Sequence, residues 1–133
     1  MRLRVLAVDD NKNNLMLEQD LLELAGFEVF GAGNAADAIT IARREKPDVI
    51  AMDVRLPDMR GSEAARILRQ DEETRDIPIV FVTASVMPEG KKELKGITNT
   101  GFIGKPIDTR TFAEQIRCFC VRDGEEVERS HDK

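Results

Sequence analysis

One histidine and two cysteines are the only imidazole and thiol ligands among these 133 residues, too few donors for a structural zinc site. Cys118 and Cys120 fall in one predicted helix, point to different faces and cannot bridge each other. They read as one core thiol and one partly exposed thiol in a reducing compartment. Neither sign of charge dominates, since 20 Lys and Arg stand against 25 Asp and Glu, a net charge of −5. That balance offers no basic footprint to nucleic acid or to an anionic membrane. No apolar run approaches spanning length. The start, Met1 to Val8, is basic and then apolar, but its apolar run is too short for a secretory signal and turns acidic where a cleavage site belongs. There is no internal repeat and no low-complexity linker. These absences leave a single cytoplasmic domain, 41% hydrophobic and 34% charged, long enough to bury a core.

What the chain does carry is acid in particular places. Asp9 and Asp10 close an apolar run, Asp53 closes another, and Lys105-Pro106 follows a third. Carboxylates gathered at one end of a sheet repel one another unless a cation sits among them. All-oxygen ligands suit a hard ion such as Mg2+, and a lysine on the same rim supplies a point charge for an anionic group beside it. Metal, carboxylate nucleophile and lysine together describe a phosphoryl-transfer site.

The pattern of elements puts these groups together. Leu3 to Val8, too continuously apolar to have one wet face, reads as a central parallel strand, and Phe27 to Ala32, Val49 to Met52, Ile77 to Val82 and Phe102-Ile103 read as the other strands. Between them run helical stripes: Leu17, Leu21 and Leu24 ending at a Gly26 cap; Ala35, Ala38, Ile41 and Ala42 behind an Asn34 N-cap; Ala64, Ala65, Ile67 and Leu68. A short mobile helix is predicted from Pro88 to Thr100, with Lys91, Lys92 and Lys95 on its solvated face. A final helix, N-capped by Asp108, buries Phe112, Ile116, Phe119 and Cys120. After Val121 the chain is nearly all polar. The expected division is therefore a domain over 1–121 and a polar tail over 122–133. Alternating strands and helices predict a doubly wound α/β fold, a parallel sheet with helices on both faces. Ligands of such sheets bind beyond the carboxyl ends of the strands. Asp9, Asp10, Asp53, Thr83 and Lys105 all fall just past predicted strand ends.

Four segments in this order, Val8-Asp9-Asp10-Asn11, Met52-Asp53 through Pro57 to Gly61, Val82-Thr83-Ala84 and Gly104-Lys105-Pro106, resemble the receiver domain of two-component response regulators. The resemblance covers Leu3 to about Val121 and implies five parallel strands in the flavodoxin-like order 2-1-3-4-5. It implies a stand-alone receiver of the chemotaxis or cell-cycle type. Carried over residue by residue, Asp53 is the phosphoacceptor, and Mg2+ is ligated by Asp10 and Asp53, by the Arg55 backbone carbonyl and, through water, by Asp9. Thr83 and Lys105 contact the phosphoryl group, and Phe102 stands where the family has an aromatic rotamer switch. Arg55 and Ser85 flank the path of a hydrolytic water and tune the lifetime of the phosphoryl group. The implied donor is a histidine kinase or a histidine phosphotransfer protein. The implied downstream protein binds the face formed by the Pro88 to Thr100 helix, the fifth strand and the final helix, with the receiver a monomer or weak dimer. The only catalysis expected is the chain's own Mg2+-dependent phosphorylation and dephosphorylation.

Rival readings fit less well. A constitutive interaction module need not keep every chemical residue, and this chain keeps them all; a receiver cut from a larger hybrid protein keeps them equally. A flavin carrier of the same fold needs a neutral hydroxyl-rich loop after the first strand, where Asp9-Asp10 would repel a phosphate. A haloacid-dehalogenase-type phosphatase wants an acid where Arg55 stands.

Overall fold

The computed structural model describes residues 2–84 and 97–120. Among them are five strands, β1 (Arg4–Val8), β2 (Glu28–Ala32), β3 (Val49–Asp53), β4 (Ile79–Thr83) and β5 (Thr100–Gly104), and four helices, α1 (Lys12–Leu24), α2 (Ala35–Glu45), α3 (Gly61–Gln70) and α4 (Phe112–Cys120). The strands pair in parallel in the order β2-β1-β3-β4-β5. Both faces are covered, and the pleat divides each strand between them. Leu6, Val8, Ile50, Met52, Ile79 and Phe81 pack with α2 and α3, whereas Val5, Val49, Ala51, Val80 and Val82 pack with Leu22, Phe27, Phe112 and Ile116. Two-sided burial is why these strands read as unbroken apolar runs. No helix among the described residues is long and apolar enough to cross a membrane.

The turns follow local chemistry. Asn11 and Asn34 cap α1 and α2, their side chains accepting from the Asn14 and Asp37 amides. Past α1, Gly26 takes a left-handed φ of 99°, and the Gly26 and Phe27 amides return to the Glu23 and Leu22 carbonyls, closing the helix as a Schellman motif. Pro78 has no N–H to give a ladder, and β4 begins after it, at Ile79 rather than Ile77.

Three expectations shift. The buried stripe of α1 is not Leu17, Leu21 and Leu24, since Leu24 is 86% exposed; the inward residues are Glu18 and Leu22. Leu21 stays half-buried beside Leu22, because the face turned to the core is the one that runs through Glu18 and Leu22 to Ala25 and the Phe27 turn. Of the helix predicted over Pro88 to Thr100, residues 88–96 lie outside the described residues. Ile97 to Asn99 are not helical: Asn99 is left-handed (φ 59°) and Thr100 already opens β5. Asp108 caps a turn instead of the helix itself, accepting from the Arg110 amide four residues before α4 begins.

Candidate functional site

Strand register gathers the chemistry on one rim. Val8 pairs with Met52, so Asp9 and Asp53 end adjacent central strands at one level. Thr83 pairs with Gly104, which leaves Lys105 as the next residue along. The ammonium of Lys105 donates to Asp9 Oδ2 at 2.9 Å and to Asp53 Oδ2 at 3.0 Å. The other oxygen of each acid is held by backbone: Asp9 Oδ1 accepts from the Asn11 amide at 2.9 Å, and Asp53 Oδ1 from the Arg55 amide at 3.1 Å. Each carboxylate is thus fixed at both ends, and Asp9 is only 2% exposed. Burial alone would push the Lys105 ammonium toward losing its proton, but the bonds and charges of Asp9 and Asp53 outweigh it and the net shift is upward. Carboxylate oxygens of Asp9, Asp10 and Asp53 lie within 4.8 Å of one another, and Asp10 is exposed to incoming ligands.

The loop after β3 is tied at its base. The Gly61 amide donates to the Val54 carbonyl at 2.6 Å, and Arg55 and Arg60 form an isolated antiparallel bridge. A Cβ at Gly61 would stand 2.6 Å from the Asp53 carbonyl oxygen, so the start of α3 meets the end of β3 at a distance only glycine permits. On the other side, Thr83 is buried and its carbonyl accepts from the Lys105 amide at 2.9 Å. Phe102 is half-buried, its ring centroid 6.0 Å from that of Phe81. Because Phe81 pairs with Phe102 and Thr83 lies two residues beyond Phe81, all three share one face of the sheet. Ser85 lies outside the described residues, and the Arg55 side chain is exposed.

Glu18, beside this rim, escaped sequence reasoning. Glu18, 2% exposed on the inner face of α1, lines with Asn14 and Lys105 a cleft of about 290 Å³ walled by Leu17, Pro106 and Ile107. Burial first, then the charge of Asp9, raise its carboxyl to about 8, with Lys105 opposing and Asp53 adding to the rise. A hydropathy pattern sees such a residue only as a gap. The available signal was the line from Leu15 through Glu18 to Leu22, spaced i, i+3, i+7.

Comparison with known proteins agrees with this geometry. The family model described as the response regulator receiver domain matches residues 5–117. The polar-differentiation response regulator DivK of Brucella anthropi is 36% identical over 115 residues, covering 86% of this chain and 94% of its own. Among solved structures, the chemotaxis response regulator CheY4 of Vibrio cholerae superposes with a TM-score of 0.83 at 31% identity, over 90% of this chain and 99% of that one. The receiver domain of the sensor histidine kinase PA1611 from Pseudomonas aeruginosa, with a magnesium ion coordinated in its active site cleft, gives 0.82 at 25% identity, over 90% and 98%. The chain belongs to the response regulator receiver family, the phosphoacceptors of two-component signalling.

Proposed function

We propose that Asp53 accepts the phosphoryl group and that the rim around it is the catalytic and metal site. The observation that carries this is the Lys105 ammonium shared between Asp9 and Asp53, with Asp10 beside them. Three carboxylates facing one ammonium leave a formal surplus of negative charge, which a divalent cation fits. Asp10 and Asp53 would hold Mg2+ by side chain, Arg55 by its carbonyl and Asp9 through water. The chemistry a bound Mg2+ supplies is charge neutralisation on the phosphoryl oxygens.

The protein's own groups do the rest. An Asp53 oxygen attacks phosphorus as the bond to the donor's imidazole nitrogen breaks, giving an acyl phosphate. Lys105, already within bonding distance of Asp53, exchanges a carboxylate oxygen for a phosphoryl oxygen. Thr83 donates its hydroxyl to the new group. A shift of Thr83 toward the phosphoryl opens volume on the face it shares with Phe102, which, having no hydroxyl, turns inward without needing a polar partner.

Receivers act between histidine kinases and downstream proteins. For this chain the downstream surface is the one Phe102 borders, made by β5, α4 and the segment joining β4 to β5. The deciding experiment incubates wild type and Asp53→Asn with Mg2+ and acetyl phosphate and weighs both intact. Wild type gains one phosphoryl mass and the Asn variant none; a full adduct on Asp53→Asn overturns the assignment.

A further inference from the structure

We propose that Asp58 is a positioning residue for the phosphoryl-transfer site: it pins the loop after β3 to the first turn of α2, and so fixes the Arg55 carbonyl. The proposal rests on the metal reading above. Residues 54–60 form a lobe closed at its base by the Gly61 to Val54 hydrogen bond and the Arg55–Arg60 bridge. Neither tie reaches the far end of the lobe. Asp58 sits there, and its carboxylate spans to another element. Oδ1 accepts from the Ala35 amide and Oδ2 from the Ala36 amide, both at 2.9 Å. These two N–H bonds hold the carboxyl below its ordinary range, although the side chain lies at the surface.

The arrangement is more than a cap for α2. That helix already has one in Asn34, which takes the Asp37 amide at 2.8 Å. Asp58 takes the two first-turn amides to which Asn34 makes no bond, and it does so from 23 and 22 residues away. The helix is also the fixed partner, since Ala35, Ala38 and Ala42 are buried in the core beside β1 and β3. The loop is therefore the side being guided. Arg55 is three residues from this anchor, and its amide is bonded to Asp53. With Asp58 removed, the lobe keeps its base and the packing of Leu56 and Met59 on the core but loses its polar tie to α2. The Arg55 carbonyl then samples orientations that do not face the acid cluster, and metal affinity falls.

A structural cap and a positioning residue predict different measurements. Wild type, Asp58→Ala, Asp58→Asn and Asn34→Ala are each titrated with Mg2+, with the amide shifts of Asp10, Asp53 and Arg55 as the readout. Thermal melts and initial rates of acetyl phosphate labelling against Mg2+ concentration accompany them. Asp58→Ala should weaken Mg2+ binding on the order of ten-fold, and its labelling rate should recover at saturating Mg2+. Asp58→Asn, which keeps one acceptor oxygen, should fall between and covers the case of an unstable alanine variant. Asn34→Ala should lower the melting temperature comparably yet keep wild-type Mg2+ affinity. Wild-type affinity in both Asp58 variants overturns the proposal and leaves the metal site standing. Absence of Mg2+ shifts at Asp10 and Asp53 in wild type overturns the metal reading and the proposal with it.

Discussion

Replacing Glu18 by leucine should make the protein progressively more stable than wild type as pH rises. In the folded chain the carboxyl is raised from 4.5 to about 8, by burial first and by Asp9 next. Below the lower value both folded and unfolded chains carry the proton, and above the upper value neither does. Between them only the folded chain holds it, so the stability present at acid pH is lost as pH climbs through this window. The slope approaches about 1.4 kcal/mol per pH unit, or about 3 kcal/mol between about pH 5.5 and pH 8. Leucine fills the same buried position without the titration. Urea unfolding of both proteins at several pH values, in chelator, gives the difference, and other titrating groups largely cancel in it. The chain has no Trp or Tyr, so far-UV circular dichroism is the suitable signal. The advantage of Glu18→Leu should widen by about 3 kcal/mol over that range. Parallel curves would refute the reasoning, because a carboxyl charged in both states gives no such divergence.

Two further substitutions test the rim. In Gly61→Ala the new methyl meets the Asp53 carbonyl at 2.6 Å and the Val54 Cα at 3.0 Å, both backbone atoms that cannot turn aside. Stability should fall by about 1–3 kcal/mol in urea melts, and acetyl phosphate labelling should slow if the displaced strand end carries the proposed nucleophile, Asp53. Asp10→Ala removes one of three mutually repelling acids, so in chelator it should melt no lower than wild type while losing the Mg2+-dependent rise in melting temperature. A variant stabilised by Mg2+ as well as wild type would contradict Asp10's place as a ligand.

Sequence made the sheet legible because both its faces are buried, so β1, β3 and β4 could be recognised without knowing their neighbours. The Asn11 and Asn34 caps were legible because a cap is settled within three residues of chain. Asp9, Asp53, Thr83 and Lys105 were legible because each ends a strand or directly follows one, and parallel strands present that end together. Glu18 and Asp58 were not. The burial of Glu18 depends on how α1 is turned about its axis against the sheet, a choice made by tertiary packing. The partners of Asp58 are amides on another helix, and backbone amides carry no residue identity to search for. Asp108 misled for a related reason: it does start a turn, but the turn runs to Thr111 before α4 is established.

The two hydrogen bonds of Lys105 reach 96 and 52 residues back along the chain. No fragment can therefore possess the active rim, and the rim records whether the last strand has docked. A chain emerging amino end first exposes Asp9, Asp10 and Asp53 before Lys105 exists, with β5 to be added at the sheet edge. Until β5 pairs there, the acids lack the ammonium that bridges them, and only closure of this long loop supplies it. On the proposed assignment, competence to take a phosphoryl group would arrive with completion of the fold, since a nascent or truncated chain that stops short of Lys105 carries Asp9 and Asp53 without the ammonium that bridges them.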